Sequence, residues 1–361
     1  MIDFHVENRN LKKAVKMKLY SVFVLRCQPF HNAHKKIIHE SLNQTDEIII
    51  IVGSSRSSIT VKNPWTFEER KSFILGSFSE EQSKKIHVFS VADLLYSSHT
   101  WITSIQNIVN NVVQSNDIVT LVGHYKDDSS YYLNWFPQWK LQTLPYFKND
   151  DHDSIDGTKI RNLLFQNNSK WKDYVPENVS VFIDDFMKTE KFIKLQKEFQ
   201  YLVNYKKSWE KAPYPRTFVT TDTVVIQSGH VLLIERKTEP GKGNFALPGG
   251  FLSQNETIKQ SAIRELKEET KIDVASIVLE KSIKESHVFD HPLRSSRGRT
   301  ITHAFLIELD HEKSLPKIKG SDDAKRAFWL SLNDLYSYEE NFFEDHIHII
   351  GYFLNGKLYN R

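Results

Sequence analysis

The chain has 361 residues, of which 40% are hydrophobic and 12% aromatic, and this size and composition indicate two domains with sizeable cores. Its 48 basic and 45 acidic residues nearly balance at a net charge of +3, so we expect no nucleic-acid partner. No apolar run approaches the roughly 20 residues that span a bilayer, so we expect no membrane partner either. The lone cysteine, Cys27, excludes an internal disulfide and a cysteine-ligated zinc site and is typical of a cytoplasmic protein.

The first half of the chain alternates short apolar runs with helical patterns. Residues 1–18 are polar, lack the apolar core of a signal peptide, and are predicted to be an extension. Residues 19–186 then contain four runs that predict buried strands: Tyr20–Leu25, Glu47–Val52, Ile86–Ser90 and Ile118–Val122. Helical segments lie between them, including Phe67–Gly76 and Thr100–Gln114. This alternation predicts an α/β domain with a doubly wound parallel sheet of the Rossmann-like kind.

The second half has a different pattern. Residues 187–214 are helical and polar, which predicts a linker that ends at Pro213 and Pro215. From residue 215 the strands shorten, and the turn Ser228-Gly229 predicts a hairpin. We therefore expect a mixed α+β domain over residues 215–361, closed by a helix over roughly Glu340–Leu354.

Three glutamates stand out in the second half. Glu265, Glu268 and Glu269 fall at i, i+3 and i+4, so a helix would present them on one arc of about 100°. A solvated acidic face is the simplest interpretation of such a run by itself. Here a Gly-Gly turn ending at Gly250 precedes the run, and Arg264 lies beside the acids. Carboxylates next to a tight glycine turn suit a hard divalent cation that bridges to phosphate oxygens.

The spacing G-x5-E-x7-R-E-L-x-E-E, which begins at Gly250, resembles the Nudix box. This resemblance implies that the three glutamates bind Mg²⁺, or alternatively Mn²⁺, across a substrate diphosphate. It also implies that Arg264 orients a glutamate and that Glu256 is a supporting carboxylate. Lys271 stands where the family usually has glycine, at the end of the helix. The box does not identify the general base, for which Asp322 and Asp323 are candidates.

Arginines downstream of the box predict the substrate contacts of the second domain. Arg297 and Arg299 lie in a basic, aromatic loop that starts near His287 and resembles that of ADP-ribose pyrophosphatases of the Nudix family. Together with Arg236 they suit phosphates and ribose hydroxyls, although surface ion pairing is an alternative for each.

The first domain has a candidate phosphate site after its first strand. His31 and His34 lie at a strand-to-helix turn, and ligands bind at the carboxyl ends of strands in such sheets. Taken alone, H-x-x-H would equally be a surface pair or a loose metal site. Thr158 and Arg161, however, lie in a second loop that enters a helix and offers cations and amides to phosphate. A third candidate segment, Gly123–Tyr131, follows the fourth strand directly.

These segments resemble the H-x-G-H and I-S-x-T-x-x-R motifs of nucleotidyltransferases, in particular the nicotinamide-mononucleotide adenylyltransferase branch. The resemblance implies that His31 and His34 bond the phosphates, that Arg161 and Thr158 grip the β/γ end of ATP, and that Lys126 is a weaker candidate. Trp101 would stack on the nicotinamide ring, unless it is a buried structural tryptophan. Further nucleotide contacts are predicted at Arg26, Gln28, Phe30, Asn63, Arg70 and Gly123. Loop capping and packing are the alternative for Asn63 and Arg70.

Two departures from the motifs concern the first site. Ala33 replaces the glycine of H-x-G-H, and Asp156 replaces the serine of the second motif. The Asp156 carboxylate would either weaken ATP binding or hydrogen-bond the loop.

The order of the two domains also resembles a bifunctional bacterial family. We therefore expect NAD synthesis from ATP and nicotinamide mononucleotide, and metal-dependent hydrolysis of ADP-ribose to AMP and ribose 5-phosphate. One alternative is an ADP-ribose sensor without hydrolysis. Another keeps adenylyl transfer but changes the acceptor to phosphopantetheine or FMN, and diadenosine polyphosphates or NADH remain alternative Nudix substrates. The sequence leaves a homo-oligomer open.

Overall fold

A computed structural model describes residues 17–93, 96–123, 128–144, 156–311 and 314–354. The amino-terminal sheet has five parallel strands in the order β3-β2-β1-β4-β5. These strands are β1 (Leu19–Leu25), β2 (Glu47–Val52), β3 (Ile86–Ser90), β4 (Ile118–Gly123) and β5 (Lys140–Thr143). Chain order reverses between β1 and β4, which opens a crevice at their carboxyl ends.

Helices cover both faces of this sheet. They are α1 (Asn32–Leu42), α2 (Phe67–Leu75), α3 (Glu80–Ser83), α4 (Ser98–Asn110), α5 (Gly157–Phe165), α6 (Glu177–Phe186) and α7 (Glu190–Lys207). Alternate isoleucines of β2 belong to the hydrophobic clusters on opposite faces of the sheet. Ile48 and Ile50 pack with α1, whereas Ile49 and Ile51 pack with α4. Because both faces are covered, β2 is a continuous apolar run, and the predicted α/β class is confirmed.

The long helix α7 belongs to the first core and continues towards the second domain. Thr189 caps its amino end by accepting from the Phe192 backbone N–H. Phe192 and Leu195 are buried in the same cluster as α1 and α5. The predicted polar linker is therefore a helix docked on the first domain.

The carboxy-terminal sheet is mixed and has seven strands, with the main order β10-β11-β6-β7-β12. Its strands are β6 (Thr217–Gln227), β7 (His230–Arg236), β8 (Phe245–Ala246), β9 (Gly249–Phe251), β10 (Ile283–Phe289), β11 (Arg299–Glu308) and β12 (Ala324–Ser331). β6 and β11 are parallel, and the predicted turn at Ser228 and Gly229 joins β6 to β7. The associated helices are α8 (Ile258–Thr270), α9 (Ser276–Lys281) and α10 (His346–Phe353).

Two elements differ from the predictions. Strand β5 was not predicted, because its sequence KLQT lacks an apolar run and most of it is exposed. The closing helix begins at His346, not near Glu340, since a 3₁₀ segment ends at Asn341 and Glu344 adopts a positive φ of 46°. A residue in that conformation interrupts a right-handed helix.

The two domains meet through buried polar contacts. The Tyr96 hydroxyl, from the segment between β3 and α4, donates a hydrogen bond to Asp345 of the second domain. Asp345 also accepts two hydrogen bonds from Arg294, at 2.8 and 2.9 Å. A more exposed ion pair joins Arg56 and Glu339 across the same interface at 3.5 Å. Within the described residues, no helix has the length and apolar character of a membrane span.

Candidate active sites

The first candidate site lies where α1 begins. His31 occupies the N-cap position and is buried, and its ring stacks on His34 with centroids 3.6 Å apart. The Phe30 ring also stacks on His34, with ring centroids 5.7 Å apart. The amino end of a helix presents unpaired backbone N–H groups and a partial positive charge. The two imidazoles and this helix end together form a site suited to phosphate.

A second helix amino end enters the same crevice. Arg161 of α5 donates to the Gln28 carbonyl at 2.5 Å and to the Thr158 hydroxyl at 3.3 Å. A Cβ on Gly157 would lie 2.7 Å from the Gln28 carbonyl oxygen, so only glycine permits this approach. Burial lowers the pKa of Arg161 to about 10, against the opposing effect of Asp156, and the guanidinium remains charged at neutral pH. Thr158 and Arg161 therefore lie beside the histidine loop.

Asp156, one of the departures, has a defined structural role. It is the N-cap of α5, and its Oδ1 accepts from the backbone N–H groups of Thr158 at 2.8 Å and Lys159 at 2.9 Å. A serine at this position would make the same kind of capping bond. The structure therefore favours the second of the two alternatives, in which the carboxylate hydrogen-bonds the loop.

A layer of buried polar groups supports the crevice. Arg70 is fully buried and donates to the backbone carbonyls of Arg26, Gly53, Ser54 and Thr66. The Gln28 side-chain amide donates to the Trp65 carbonyl at 2.9 Å and accepts from the Trp65 backbone N–H at 3.2 Å. Asn63 closes a turn with Thr60 through paired backbone bonds. This arrangement favours loop support for Arg70 and Asn63 over the predicted mononucleotide contact, and it gives Gln28 a similar supporting role.

Three other predicted nucleotide contacts have distinct environments. Trp101 is half-buried on α4, with an edge contact to Tyr132 at 5.8 Å and a tilted contact to Phe136 at 6.4 Å, and this partly exposed position is compatible with both stacking on a ligand and packing. Gly123 ends β4, where a Cβ would lie 2.6 Å from Leu133. The Arg26 side chain is 50% exposed and lies 3.5 Å from Asp93. Lys126 lies outside the described residues.

The second candidate site is built on α8 and β9. Glu269 is buried, and its Oε2 accepts from the Gly249 N–H at 2.9 Å. A Cβ on Gly250 would lie 2.4 Å from Oε1 of Glu265. The two glycines predicted as a turn lie in strand β9, where Gly250 packs against the Glu265 carboxylate and a Cβ on Gly249 would lie 2.1 Å from the Thr221 carbonyl oxygen.

Arg264 binds the remaining acids of the box. It donates twice to Glu256, at 2.7 and 2.8 Å, and also pairs with Glu268 at 2.8 Å and Glu265 at 2.9 Å. These bonds lower the pKa of Glu256 to about 2. Arg264 thus fixes the orientation of the box glutamates, and Glu256 anchors Arg264. The helix ends at Lys271 in the left-handed conformation, with φ of 45°, where a glycine would be less strained.

The carboxylates fit a divalent cation by their chemistry. Burial raises the pKa of Glu269 to about 8, and it also raises the pKa of Glu265. A bound cation would stabilise both as anions, and oxygen donors suit Mg²⁺ or Mn²⁺. Among the described residues, no group of three or more acidic, histidine or cysteine side chains is arranged as a metal site. Glu268 is turned to Arg264, and its side chain is 44% exposed.

The predicted substrate arginines separate into two environments. The Arg236 guanidinium lies 4.1 Å from the centre of the Phe343 ring and donates to the Pro240 carbonyl at 2.9 Å. Arg297 lies over the Phe251 ring at 5.2 Å. Both are therefore held on aromatic faces near the box. Arg299 instead bonds the Asp290 carbonyl and lies 3.8 Å from its carboxylate, which is the surface ion pair left open as an alternative.

Of the two candidate bases, Asp322 is the one whose negative charge helps to raise the pKa of Glu265 in the box. Its backbone adopts a positive φ of 54°. The Asp323 carbonyl accepts from the Lys237 N–H at 2.9 Å, which ties this loop to the end of β7.

Glu344 contacts the predicted substrate loop, and this contact was not predicted from the sequence. Its Oε1 accepts from the Ser295 hydroxyl at 2.9 Å and from the Ser296 N–H and hydroxyl at 2.9 and 3.1 Å. Its Oε2 lies 3.8 Å from Arg297. These partners are nearly 50 residues away along the chain, so no local spacing could have indicated the contact.

The folds and sites define a class of protein. A Rossmann-like domain with a phosphate crevice, joined to a domain with the Nudix box on a helix, is a two-domain nucleotide-processing enzyme. Family models agree with this division: residues 26–162 match the cytidylyltransferase-like family, and residues 217–351 match the NUDIX domain.

Relatives and solved structures define the family more narrowly. A nicotinamide/nicotinic acid mononucleotide adenylyltransferase of Acinetobacter baylyi is 35% identical over 181 residues, which are 50% of this chain and 93% of the relative. An ADP-ribose pyrophosphatase of Methanocaldococcus jannaschii is 37% identical over 122 residues, 34% of this chain and 66% of the relative. A crystal structure of a bifunctional NMN adenylyltransferase/ADP ribose pyrophosphatase from Francisella tularensis, complexed with AMP and a Mn ion, matches with a TM-score of 0.87 and 35% identity. That match covers 94% of this chain and 99% of the other.

The chain belongs to the family of bifunctional NMN adenylyltransferase/ADP-ribose pyrophosphatases. The predictions of fold class, family and enzyme class are therefore confirmed.

Proposed function

We propose that the first domain transfers the adenylyl group of ATP to nicotinamide mononucleotide, giving NAD and pyrophosphate. We further propose that the second domain hydrolyses ADP-ribose to AMP and ribose 5-phosphate. One observation carries this proposal: a likeness to the bifunctional Francisella protein over 94% of the chain, along which both the histidine crevice and the buried glutamates are present. The named activities of the two relatives support one half each.

The first reaction needs alignment more than proton transfer. The attacking 5′-phosphate of the mononucleotide is already anionic, so no general base is required. The stacked pair His31 and His34 would donate hydrogen bonds to the phosphates of ATP, and Arg161 with Thr158 would hold the departing pyrophosphate. Arg70 bonds the loop after β1 to the loop after β2, and Arg161 bonds the loop after β1 to α5 through the Gln28 carbonyl, so these groups are held for the alignment that in-line transfer requires.

The second reaction uses the acidic helix. Glu265 and Glu269 would hold a divalent cation, which we propose to be Mg²⁺, and the Francisella structure contains a Mn ion. Such a cation would supply a Lewis acid to activate water and neutralise charge on the leaving phosphate. Arg264 keeps the carboxylates oriented, while Arg236 and Arg297 would neutralise the substrate diphosphate. Asp322 and Asp323 remain our candidates for the base.

Two variants test whether the activities are separate. His34→Ala should lower NAD formation by about 10²-fold or more, the usual cost of removing a donor to the reacting group, and leave ADP-ribose hydrolysis unchanged. Glu269→Gln should abolish hydrolysis and leave NAD formation intact, because it removes a metal-binding carboxylate. Both products are measured with Mg²⁺ present. Loss of both activities in either folded variant would contradict the proposal.

The wild-type protein supplies the test of the acceptor. Phosphopantetheine and FMN are offered beside nicotinamide mononucleotide at equal concentration, with pyrophosphate release as the readout. We expect release with nicotinamide mononucleotide only. Faster release with either other acceptor would move the first domain to a different branch of nucleotidyltransferases.

A further inference from the structure

A cavity of about 390 Å³ lies where the connecting segment meets the second domain. Its wall includes Trp209 and Arg216 from the segment between α7 and β6, Phe218 from β6, and Arg297 from the predicted substrate loop. Trp209 and Arg216 belong to neither family match, which cover residues 26–162 and 217–351. The cavity therefore combines side chains of the Nudix domain with side chains that precede it.

The cavity lies close to the catalytic carboxylates. Strand β9 connects the two places: Gly249 at its start donates to Glu269, and Phe251 at its end contacts the cavity wall. The Phe251 ring lies 5.8 Å from Phe218 and 5.2 Å from the Arg297 guanidinium. Two residues along a strand cover about 7 Å. A nucleoside diphosphate with its phosphates at the glutamates can therefore reach the cavity with its base.

The cavity wall has the chemistry of a base-binding surface. The Arg216 guanidinium lies 3.4 Å from the centre of the Trp209 ring, so that two planar groups stack. Nucleobases stack on aromatic rings and on guanidinium planes. The Trp209 indole nitrogen is buried and has no hydrogen-bond acceptor among the described residues.

The connecting helix approaches the second site at its other end as well. The Lys194 ammonium lies 3.8 Å from the position a Cβ would take on Gly243, in the loop after β7. Glu198, one turn further along, is buried, which raises its pKa, and the charges of Glu239 and Glu344 raise it further while Arg236 opposes the shift. From Lys194 to the carboxyl end of α7, one side of this helix therefore faces the Nudix site.

We propose that this cavity binds the nucleobase of the nucleoside diphosphate that the second domain hydrolyses. Trp209 and Arg216 then determine specificity for a substrate that carries a base, although both lie outside the Nudix domain. The inference rests on the proposed hydrolysis at Glu265 and Glu269, and it assigns the base end of the same substrate.

The test compares Trp209→Ala, Trp209→Phe and Arg216→Ala with a matched control, Tyr201→Ala, which removes an exposed aromatic ring from α7 outside the cavity. Hydrolysis of ADP-ribose is measured with Mg²⁺, and inhibition by AMP is compared with inhibition by ribose 5-phosphate, which lacks a base. Calorimetric AMP binding in the His34→Ala background, with Mn²⁺, provides a readout that does not depend on turnover.

We expect Trp209→Ala to weaken AMP binding and raise the KM for ADP-ribose about tenfold, within the range for loss of one base-stacking contact. The kcat and the inhibition by ribose 5-phosphate should stay within twofold. Trp209→Phe should restore most of the affinity, Arg216→Ala should weaken AMP binding, and Tyr201→Ala should behave as the wild type.

Three results would overturn the base site. The first is an unchanged AMP affinity in both Trp209→Ala and Arg216→Ala, the second is an equal loss of AMP and ribose 5-phosphate binding, and the third is a wild-type KM for ADP-ribose in Trp209→Ala. If the wild type fails to hydrolyse ADP-ribose but Trp209→Ala still loses AMP binding, the base site stands and the assigned substrate is wrong. If Trp209→Ala hydrolyses ADP-ribose with the wild-type KM, the substrate stands and the base site is overturned.

Discussion

Asp156 shows how one residue can depart from a motif and keep its structural task. Its carboxylate accepts the two backbone N–H groups at the start of α5. Those bonds orient the helix turn that carries Thr158 and Arg161. An acid at a helix amino end is also favoured by the helix dipole. The departure therefore preserves the geometry of the first site, while adding a negative charge to it.

Substitution of Asp156 separates these two effects. Asp156→Ala should lower the free energy of unfolding by about 1 kcal/mol, the usual cost of losing an N-cap, and reduce NAD formation because Thr158 and Arg161 lose their fixed orientation. Asp156→Ser keeps a cap without the charge and should retain stability and activity. Chemical denaturation and the NAD assay measure both effects. A serine variant as impaired as the alanine variant would show that the carboxylate itself is required.

Residues whose roles depend on local spacing could be predicted, and residues with distant partners could not. The box glutamates follow helical periodicity, so their grouping on α8 was accessible from the sequence. Arg70 was predicted as a ligand contact because the sequence does not reveal that its guanidinium is buried against four carbonyls. Glu344 gave no signal, because its serine partners lie in another loop.

At the scale of elements, apolar content determined what could be predicted. Strands β1 to β4 are apolar runs buried on both faces, so their positions were predicted closely. β5 has no such run, since it lies at the sheet edge and is mostly exposed. The closing helix was predicted too early because composition does not reveal the positive φ at Glu344.

Helix α7 carries a buried acid that makes stability depend on pH. Glu198 is 4% exposed. Burial raises its pKa to about 7, with further contributions from Glu239 and Glu344, and Lys194 and Arg236 oppose the shift. The folded protein therefore holds this proton more tightly than the unfolded chain, whose carboxyl has a value near 4.5. Stability is highest below pH 4.5 for this group and is lost as the pH rises towards 7.

Glu198→Gln removes that loss. The variant should be more stable than the wild type at pH 8, by on the order of 2 kcal/mol, and should differ little at pH 4.5. Thermal unfolding across this range measures the difference, and Glu190→Gln, at an exposed position of the same helix, is the control. An equal effect of Glu198→Gln at both pH values would contradict a buried, titrating carboxyl.

At the scale of the whole molecule, the Tyr96 hydroxyl of the first domain is hydrogen-bonded to a buried ion pair, Arg294 with Asp345, that lies within the second domain. Burial alone would raise the pKa of Asp345, yet the neighbouring Arg294 brings it below the ordinary value. The Tyr96 hydroxyl donates to this carboxylate from the other domain. The contact ties the segment before α4, and hence the region of Trp101, to the start of α10.

Tyr96→Phe tests the energy of this connection. Removing a hydrogen bond to a buried charge should cost about 1.5–3 kcal/mol and lower the unfolding temperature. Asp345→Asn should cost about 3–5 kcal/mol, because it leaves Arg294 buried without its counterion. Differential scanning calorimetry measures both, with Tyr338→Phe, at a more exposed tyrosine, as the control. A wild-type unfolding temperature in Tyr96→Phe would show that the interdomain hydrogen bond contributes no stability, and one in Asp345→Asn would show the same for the ion pair within the second domain.

Helix α7 and the segment after it contact both domains, and this limits where the chain could be divided into two separate proteins. Phe192 and Leu195 fix the helix in the first core, while Trp209, just beyond its end, lines a cavity of the second domain. A gene split at Thr217, where the Nudix match begins, would leave Trp209 on the wrong product. A split before Glu190 would instead remove the buried side chains of Phe192 and Leu195 from the first core. No single division of the chain between the two domains would therefore leave both of them with all of these contacts.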